Sequence, residues 1–390
     1  MIKERYKGPG ERGKGRGGRQ KAGSMRISYI GDGQSVHNHF MIEWFQRRGH
    51  EVLFLTDTPG EGPDCETGVV APRRGGGPFR HVGAVIRTRR WIRRWKPDIV
   101  HAHNVTGYGY WGALSGFSPL VLTAWGSDLN ILARQRPVIR LLAGWCLRRA
   151  SLITADAAAL GETARELAGG AADIRILQWG VDLSRFEGPV EEAFRQKYRG
   201  GAETVFLSTR RLRPVYNIEV ILRAYARIGE AYPRSRLIVV GDDELGPSLR
   251  ELAVRLGITD RVIFTGWLER PDLIRMFLVS DVFLSVPSSD STALSLLEAF
   301  AARLPVIAAD LPANREWIEP GGNGLLVPPG SVDALARAMA EVAENPAQAR
   351  RWGEINRRLA EERGDQEKEM RKLEGWYRDL IHPAPSRLRG

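Results

Sequence analysis

The chain has 390 residues, 43% of them hydrophobic, and its 57 lysines and arginines outnumber its 46 acidic residues. This length exceeds what one core usually holds and predicts two domains. The sequence has no apolar run of about 18 residues, which argues against a transmembrane helix, and its two cysteines supply neither a disulfide framework nor a metal-ligand spacing.

The first 24 residues carry much of the positive charge. They contain eight basic residues, two acidic residues and seven glycines, a net charge of +6 out of +11. Such a segment cannot bury enough surface to fold, so residues 1–24 are predicted to be a disordered basic tail. The tail could tether the protein to nucleic acid or acidic lipid, or it could simply precede a domain that begins at Met25. We favour the second interpretation and expect no nucleic-acid partner.

From Met25 onward, short apolar runs alternate with longer mixed segments. The predicted strands of the first half are, in chain order, RISYIG, EVLFLT, DIVHAH, LVLTAW and LITA. Between the first two, SVHNHFMIEWFQRRG predicts a helix that ends at Gly49. This alternation indicates a parallel sheet with helices on both faces.

The same pattern restarts after residue 187. Its predicted strands are TVFLSTRRL, SRLIVVGDD, RVIFTGWL, VFLSVPS, PVIAAD and GLLVPPG. Asn217 could cap the helix that follows the first of them, and the C-terminal segment is predicted to be helical to about Ile381. The fold class is therefore α/β, with two doubly wound parallel-sheet domains facing each other across a cleft. Ligands of such sheets bind beyond the carboxyl ends of the strands, so the cleft is the expected site.

The segment SSDSTALSLLEAFAARLPVIAAD contains two acids eight positions apart, Asp290 and Glu298. It predicts a loop that enters a helix, whose first N–H groups lack backbone partners and suit a phosphate. The three small residues after Asp290 would let an anion approach closely. Carboxylates accept hydrogen bonds from vicinal hydroxyls, so a sugar is a natural ligand for both acids. From spacing alone, Asp290 could instead be an N-cap and Glu298 an exposed helix residue.

With its neighbours, this segment resembles the retaining glycosyltransferases of family 4, which have the GT-B fold of two Rossmann-like domains. The motifs that carry the resemblance, over about residues 25 to 385, are DIVHAHN, AWGSDL, WGVDLSRF, VIFTGWL, LLEAFAARLPVIAAD and NGLLVPPGSVDALARAM. The family usually has Glu where this chain has Asp290, and Asn where it has Trp179. The resemblance implies an acceptor-side domain (25–187), a nucleotide-sugar-binding domain (188–365) and a C-terminal helix (366–390) that packs back on the first domain.

The resemblance also implies roles for individual residues. Glu298 would hold the ribose hydroxyls of a nucleotide sugar, Asp290 would contact the donor sugar as a catalytic residue, and backbone N–H groups after Asp290 would hold the phosphates. Gly33 follows the first strand and permits close backbone approach to a ligand. The donor-binding candidates are Gly33, Arg211, Tyr216, Asn217, Trp267, Leu268, Ser291, Thr292, Ala293, Leu294 and Glu298.

One departure concerns the donor diphosphate, on which the family places an Arg and a Lys five residues apart. The stretch STRRLRPVYN supplies Arg210 and Arg211, but the position five after Arg211 is Tyr216. The second arginine, or Arg213, could replace the missing charge because guanidinium binds phosphate bidentately. Arg210 is the arginine assigned to catalysis, and only one of the adjacent pair need point inward.

The acceptor side should lie on the first domain. His103 ends the strand DIVHAH and Asp128 follows the next strand, so both are catalytic candidates at the cleft. His101, on the same face two residues earlier, is expected to be deeper and structural. His37 resembles the start of the family's acceptor-side helix and is an acceptor candidate, whereas His39 is more often a packed histidine.

These assignments predict a metal-independent retaining glycosyltransferase that moves a sugar from a nucleotide-sugar donor to a hydroxyl of a glycolipid, polysaccharide or small molecule. No cofactor beyond the donor substrate is expected, because the sequence shows neither a suitably placed Asp-x-Asp motif nor a cage of histidines and cysteines. The alternative from another class is a non-catalytic GT-B subunit or scaffold that binds a nucleotide sugar. An epimerase or phosphorylase of this fold has less support.

The segment VIRTRRWIRRWKPD predicts a short helix whose composition suits an anionic membrane surface. The residues predicted to make a peripheral membrane contact are Arg87, Arg90, Trp91, Arg94 and Trp95. The other interpretation is a solvated basic face with the tryptophans packed inward. The expected location is the cytoplasm, with peripheral contact at the inner face of the membrane as the option that this helix raises.

Overall fold

The computed structural model describes residues 23–58, 64–71, 79–170 and 172–383. The predicted basic tail therefore lies outside the described residues, except for Gly23 and Ser24. Within this part of the chain, parallel strands form two separate sheets. The predicted fold class, two doubly wound parallel sheets with helices on both faces, is confirmed.

The first sheet has seven described strands in the order β3-β2-β1-β4-β5-β6-β7. Its strands are β1 (Arg26–Ile30), β2 (Glu51–Thr56), β3 (Glu66–Val69), β4 (Ile99–His103), β5 (Leu120–Thr123), β6 (Leu152–Ala155) and β7 (Ile174–Ile176). Its helices are α1 (Val36–Arg47), α2 (Phe79–Trp95), α3 (Gly109–Ser115), α4 (Ala133–Gln135), α5 (Pro137–Arg149) and α6 (Ala158–Ala168), with π-helical turns at Asn104–Tyr108 and Ser127–Leu132.

The second sheet has six described strands in the order β10-β9-β8-β11-β12-β13. Its strands are β8 (Thr204–Ser208), β9 (Ser235–Val240), β10 (Val262–Gly266), β11 (Val282–Ser285), β12 (Val306–Ala309) and β13 (Gly324–Val327). The remaining helices are α7 (Glu192–Tyr198), α8 (Ile218–Ile228), α9 (Gly246–Arg255), α10 (Arg270–Val279), α11 (Leu294–Ala301), α12 (Pro312–Arg315), α13 (Val332–Glu344), α14 (Pro346–Arg363) and α15 (Gln366–Ile381), with 3₁₀ turns at Leu183–Phe186, Pro214–Tyr216 and Thr259–Arg261.

Strand order reverses once in each sheet. β1 pairs with both β2 and β4, and β8 pairs with both β9 and β11, always in parallel. A crevice opens beyond the carboxyl ends of the strands at such a switch point, and ligands bind there. The ends of β1 and β4 in one domain, and of β8 and β11 in the other, are therefore the positions from which side chains reach a ligand.

Helices cover both faces of the first sheet, which explains why its strands are continuous apolar runs. One face packs against α2, α3, α5 and α6. The other packs against α1 and, from the far end of the chain, α15, whose Met370, Leu373 and Tyr377 are fully buried. The predicted domain limits at residues 187 and 365 stay predictions; the first lies between the last strand of one sheet and the first strand of the other.

Candidate functional site

The two domains touch where the loop after β11 meets the end of β6. Ser291 donates a short hydrogen bond from its hydroxyl to the carboxylate of Asp156, and the Thr292 hydroxyl donates to the Asp156 carbonyl at 2.6 Å. Gly126, with φ of +87°, lies so close that a Cβ atom there would be 3.0 Å from the Cβ of Ser291. The predicted phosphate loop is thus anchored by the opposite domain.

Asp156 is a site residue that the sequence analysis missed. It directly follows a buried strand and is only 6% exposed. Burial raises its pKa to about 7; the Ser291 hydroxyl opposes this shift, and the nearby charge of Asp290 adds to it. An acid placed directly after a buried strand at the cleft edge was the available signal, the same one that drew attention to His103.

Asp290 and Arg210, both predicted to be catalytic, are brought together. Arg210 donates from one guanidinium nitrogen to the Asp290 carboxylate at 2.6 Å and from the other to the Ser295 hydroxyl at 3.0 Å. Burial raises the pKa of Asp290, and the Arg210 cation opposes that shift. The Tyr216 ring lies 4.4 Å from the guanidinium carbon of Arg210, a cation–π contact. The residue at the expected lysine position therefore packs against Arg210, the arginine predicted to be catalytic.

Arg211 does not join this cluster. Its guanidinium donates to Asp243 at 2.7 Å, and Arg213 donates to the same carboxylate oxygen at 2.9 Å. The Arg211 side chain is 55% exposed. Asp243 draws both arginines away from the Asp290 loop, so the structure does not bring Arg211 to the other donor-side residues, and donor binding by Arg211 stays a prediction. Of the adjacent pair, Arg210 alone faces the site.

Glu298 lies inside α11 and is only 3% exposed. The guanidinium of Arg270 contacts its carboxylate in a short ion pair. Burial raises the pKa of Glu298, and the cation of Arg270 opposes that shift. Arg270 was also missed by the sequence analysis, because nothing distinguishes the first residue of α10 from an ordinary surface arginine. The acid predicted to hold a ribose is therefore already paired with a cation.

The segment that leads into α11 is tightly held. Ser291 and Thr292 are each 4% exposed, and the Ser291 N–H donates to the Asp290 carboxylate at 3.1 Å. Ala293 is the N-cap residue and provides no side-chain cap, so the first N–H groups of the helix from Leu294 onward have no capping side chain. This is the local geometry that binds anions in proteins.

The other donor-side candidates border the same strand ends. The predicted N-cap role of Asn217 is wrong: its side chain makes no cap, its backbone is left-handed at φ 53°, and its amide donates to the Val286 carbonyl at 2.9 Å. It thereby ties the loop after β8 to the end of β11. Trp267 follows β10 and is 72% exposed, whereas Leu268 packs partly into the core.

Gly33 has a packing reason for being glycine. Its N–H donates to the Thr58 hydroxyl at 2.7 Å, and a Cβ atom there would lie 1.8 Å from the Thr58 carbonyl oxygen. His39 contacts the Gly33 carbonyl through Nε2 at 2.7 Å, which is the packed role expected of it. Donor binding by Gly33 stays a prediction.

An aromatic wall on the first domain faces the second domain and consists of His37, His103, Trp125 and Trp179. The Trp179 ring centre lies 4.6 Å from that of His37 and 5.8 Å from that of His103. His103 is 1% exposed, and neither ring nitrogen has a partner among the described residues. Burial, with His37 nearby, lowers the pKa of His103 to about 3. Burial, with the cation of Arg270 nearby, lowers that of His37 to about 4, so both rings are neutral.

His101 is structural, as expected. Its ring nitrogens contact the Tyr377 and Thr123 hydroxyls, each at 2.5 Å. Tyr377 also shares a hydrogen bond of 3.1 Å with Tyr29. This buried polar chain fixes α15 to the middle of the first sheet.

Asp128 was predicted to be catalytic, and the structure gives it a different role. It has no exposed surface, and its carboxylate accepts backbone N–H groups from Val105 at 2.7 Å and from Trp125 and Leu129 at 3.0 Å. Burial raises its pKa, and these backbone hydrogen bonds oppose the shift. Because both oxygens are used, Asp128 positions the loops that carry the aromatic wall and does not face a substrate.

The tryptophans of α2 pack inward. Trp95 is 8% exposed and donates its indole N–H to Glu66 at 3.0 Å, while Trp91 is half-buried over Gly68. Arg87 donates to the Val70 carbonyl at 2.5 Å. Trp95 is therefore packed away from any membrane, whereas membrane contact through the other predicted residues stays a prediction. The exposed members of the predicted set are Arg87, Arg90 and Arg94. No helix in the described part of the chain is long and apolar enough to cross a membrane.

Glu316 makes a second contact between the domains. Its carboxylate accepts the N–H groups of Ala158 at 2.9 Å and Ala159 at 3.0 Å. These belong to the first turn of α6, which has no side-chain cap of its own. The described residues contain no group of three or more histidine, cysteine or acidic side chains that could hold a metal ion.

Two family models match this chain. The one described as "Glycosyl transferases group 1" matches residues 190–359, and the one described as "Glycosyl transferase 4-like" matches residues 26–157. The chain belongs to the group 1 glycosyltransferase family. The first-named match contains all strands of the second sheet, and the other contains β1 to β6 of the first sheet. The loop with Asp290 and the helix with Glu298 lie within the first-named match.

Curated relatives of this family member are distant. The chain is 25% identical to a glycogen synthase of Mycobacterium tuberculosis over 66% of this chain and 63% of that one. It is 32% identical to a GDP-mannose-dependent phosphatidylinositol monomannoside mannosyltransferase of the same species, over 45% of this chain and 48% of the relative. The matches thus span about half to less than two thirds of these relatives' lengths.

Solved structures show the fold. Anabaena HepE in complex with UDP-glucose matches with a TM-score of 0.77 at 20% identity, covering 91% of this chain and all of that one. Sucrose-phosphate synthase of Thermosynechococcus elongatus matches with a TM-score of 0.78 at 21% identity, covering 92% of this chain and 100% of its own. The group 1 glycosyltransferase described here therefore has the two-domain GT-B fold.

Proposed function

We propose that the protein transfers a glycosyl group from a nucleotide sugar to an acceptor hydroxyl, with retention of configuration at the anomeric carbon. The observation that carries the proposal is the pairing of two buried acids with arginines on one loop and helix at the cleft: Asp290 with Arg210, and Glu298 with Arg270. Relatives named as glycogen synthase and mannosyltransferase, and a solved structure with UDP-glucose, support a nucleotide-sugar donor.

In the proposed reaction, the bond between the anomeric carbon and the phosphate oxygen breaks while the acceptor oxygen bonds that carbon on the same face. The acceptor proton passes to the departing phosphate, so no protein base is needed. Negative charge grows on the phosphate, and Arg210 with the uncapped N–H groups of α11 would stabilise it. We infer that these groups do the work that a metal ion does in other transferases, and that transfer is metal-independent.

The other side chains are assigned supporting roles. Asp290 would accept hydrogen bonds from donor-sugar hydroxyls, and the Arg210 cation would oppose the rise that burial causes in the pKa of this carboxyl group. Glu298 would accept the ribose hydroxyls, so that ribose and Arg270 compete for one carboxylate. His103, neutral and with unpartnered ring nitrogens, would hydrogen-bond an acceptor or sugar hydroxyl at the aromatic wall.

A lipid-linked or glycan acceptor is proposed. Relatives named as a phosphatidylinositol monomannoside mannosyltransferase and an alpha-monoglucosyldiacylglycerol synthase support this class. The proposal includes a peripheral membrane contact through the exposed Arg90 and Arg94 of α2, but not through the tryptophans of that helix.

Donor binding is tested by the change in melting temperature that UDP, GDP, ADP and CMP sugars cause in the wild-type protein and in Glu298→Gln. Glu341→Ala, an exposed acid on α13, is the matched control. A ligand that binds the native protein stabilises it and so raises the melting temperature. At a ligand concentration of 100 times Kd the stabilisation is about 2.7 kcal/mol. We expect one nucleotide family to shift wild type and Glu341→Ala, but not Glu298→Gln. Equal shifts in all three proteins would contradict the assignment of Glu298.

Product analysis separates an enzyme from a binding subunit. Incubation with the donor so identified, followed by NMR of the anomeric proton of the product, should show retained configuration. Transfer should persist in EDTA. Tight donor binding without transfer or donor hydrolysis, over a panel of lipid and glycan acceptors, would favour the non-catalytic alternative.

A further inference from the structure

An apolar stripe lies on the outside of α5. Val138 is 68% exposed, Leu141 73% and Leu142 45%. Their spacing of three and four residues puts them on one face of the helix, while Cys146 and Leu147 are fully buried against the sheet. The outer face of a surface helix is ordinarily polar, so folding alone does not account for this stripe.

The neighbouring helix α2 carries a second apolar pair, Val82 at 58% and Ile86 at 61% exposed. Both helices cover the same face of the first sheet, with α3 packed between them. Each runs from the carboxyl edge of the sheet back to its amino edge, because each connects parallel strands. The first turns of α2 and α5 therefore lie at the same edge, beside the cleft. We call these residues, with Leu132 at 40% exposed, the cleft-edge apolar patch.

Positive charge surrounds this patch. Residues 129–155 contain five arginines and no acid, and residues 79–97 contain six arginines, one lysine and no acid. On α5 and the turn before it, Arg134, Arg136, Arg140, Arg148 and Arg149 are exposed. In the described part of the chain none of these five forms an ion pair with an acidic side chain. The surface thus combines exposed apolar side chains with surrounding positive charge.

We propose that the cleft-edge apolar patch docks on an anionic lipid bilayer. A bilayer would complement both features of this surface. Its acyl chains would contact the exposed valine, isoleucine and leucine side chains, and its acidic headgroups would pair with the arginines. A second copy of the chain would bring like charges face to face, which disfavours self-association through this surface. The patch differs from the inward-packed tryptophans of α2, and it includes a helix that sequence reasoning did not assign to any surface role.

Docking in this way would set the carboxyl edge of the first sheet against the lipid. His103 and the aromatic wall lie at that edge, so an acceptor carried in the bilayer would reach the cleft without leaving it. This consequence rests on the proposed transfer to a lipid-linked acceptor, whereas the docking itself does not depend on the transfer reaction.

Vesicle sedimentation of the full-length protein tests the proposal. The probes are vesicles of phosphatidylcholine alone and vesicles with 30% phosphatidylglycerol, in low salt and in 0.5 M salt. The variants are Leu141→Ser with Leu142→Ser, and Arg136→Gln with Arg140→Gln. The control is Val254→Ser, because Val254 on α9 of the other domain is 65% exposed, much like the patch residues. All these side chains are exposed, and melting temperature checks that each variant folds.

We expect wild type and Val254→Ser to bind the anionic vesicles at least tenfold more tightly than the neutral ones. Each double variant should lose fivefold or more of that binding, the serine variant at both salt concentrations. The basic residues before Met25 are present in every protein, so they cannot produce a difference between variants. Unchanged binding by the serine variant would overturn the proposal, as would a wild-type dimer that the serine variant converts to a monomer. No sugar donor enters this assay, so its failure would leave the proposed transfer reaction standing.

Discussion

Asp156 gives a pH-dependent test of the contact between the domains. Burial raises its pKa to about 7, whereas an unfolded aspartate titrates near 3.9. A carboxyl group with a raised native pKa is protonated more readily in the folded state, so folding loses stability as pH rises from about 4 to about 7. The loss is complete above that range. At about 1.4 kcal/mol per pKa unit, three units correspond to about 4 kcal/mol.

Asp156→Asn should remove this penalty while keeping an oxygen that accepts the Ser291 hydroxyl. We expect the variant to match wild type at pH 4 and to exceed it by about 4 kcal/mol at pH 8, a rise in Tm of roughly 8 °C at about 2 °C per kcal/mol. The measurement is Tm across pH 4 to 8 for both proteins. The exposed Asp173→Asn, 17 residues further along the same domain, is the matched control and should keep the wild-type slope.

The difference between variant and wild type is what matters, because other groups titrate in the same window. The pKa of His37 is lowered to about 4 and that of His103 to about 3, so these rings take stability away as pH falls below about 6.5. Their effect has the opposite sign to that of Asp156 and cancels in the difference. A difference curve that is flat with pH, or an asparagine variant less stable than wild type at pH 8, would refute the reasoning.

Two further predictions concern contacts that the fold builds around the site. Tyr216→Leu should lower kcat/KM about fivefold, because it removes a cation–π contact with Arg210 that is worth about 1 kcal/mol. Tyr216→Phe keeps the ring and should retain the wild-type value. Equal losses in both variants would mean that the hydroxyl matters instead. Glu316→Ala should lower the free energy of unfolding by about 1 kcal/mol, because it removes the cap of α6. Small-angle scattering should also show that the two domains are held together less tightly. Glu319→Ala, at an exposed neighbouring position, should change neither property, and identical behaviour of the two variants would refute the capping role.

The sequence predicted eleven of the thirteen described strands, because a parallel strand buried on both faces leaves a continuous apolar run. It missed β3 and β7, the two edge strands of the first sheet, which are short and only partly buried. The ends of the predicted strands then pointed to His103 and Asp290, since carboxyl ends of parallel strands meet at one edge. The same rule, applied to the strand LITA, would have found Asp156. The rule gave the wrong role for Asp128, because an acid at a strand end can instead accept hydrogen bonds from the backbone N–H groups of the adjoining loops.

What the sequence could not give was the choice of partner among several charged side chains. Arg210 and Arg211 are adjacent and chemically identical, and only the position of Asp243 decides that Arg211 turns outward. Trp91 and Trp95 likewise fit either a membrane or a core, and Glu66 and Gly68, distant in the sequence, decide for the core. Such outcomes depend on long-range packing that periodicity does not encode.

Charge balance links the departures from the family pattern. Tyr216 replaces a lysine, so the loop that follows β8 has one cation fewer for a donor diphosphate. Arg270, which sequence reasoning did not count, adds one at the same cleft, where it now neutralises the buried Glu298. Hydroxyls of a ribose can satisfy that carboxylate by hydrogen bonds without bringing charge of their own. If ribose took the place of Arg270 on Glu298, the freed guanidinium would be able to contact the diphosphate, but the Glu298 carboxylate would keep its own charge. Arg270 would then replace the contact made by the family lysine and not its net charge.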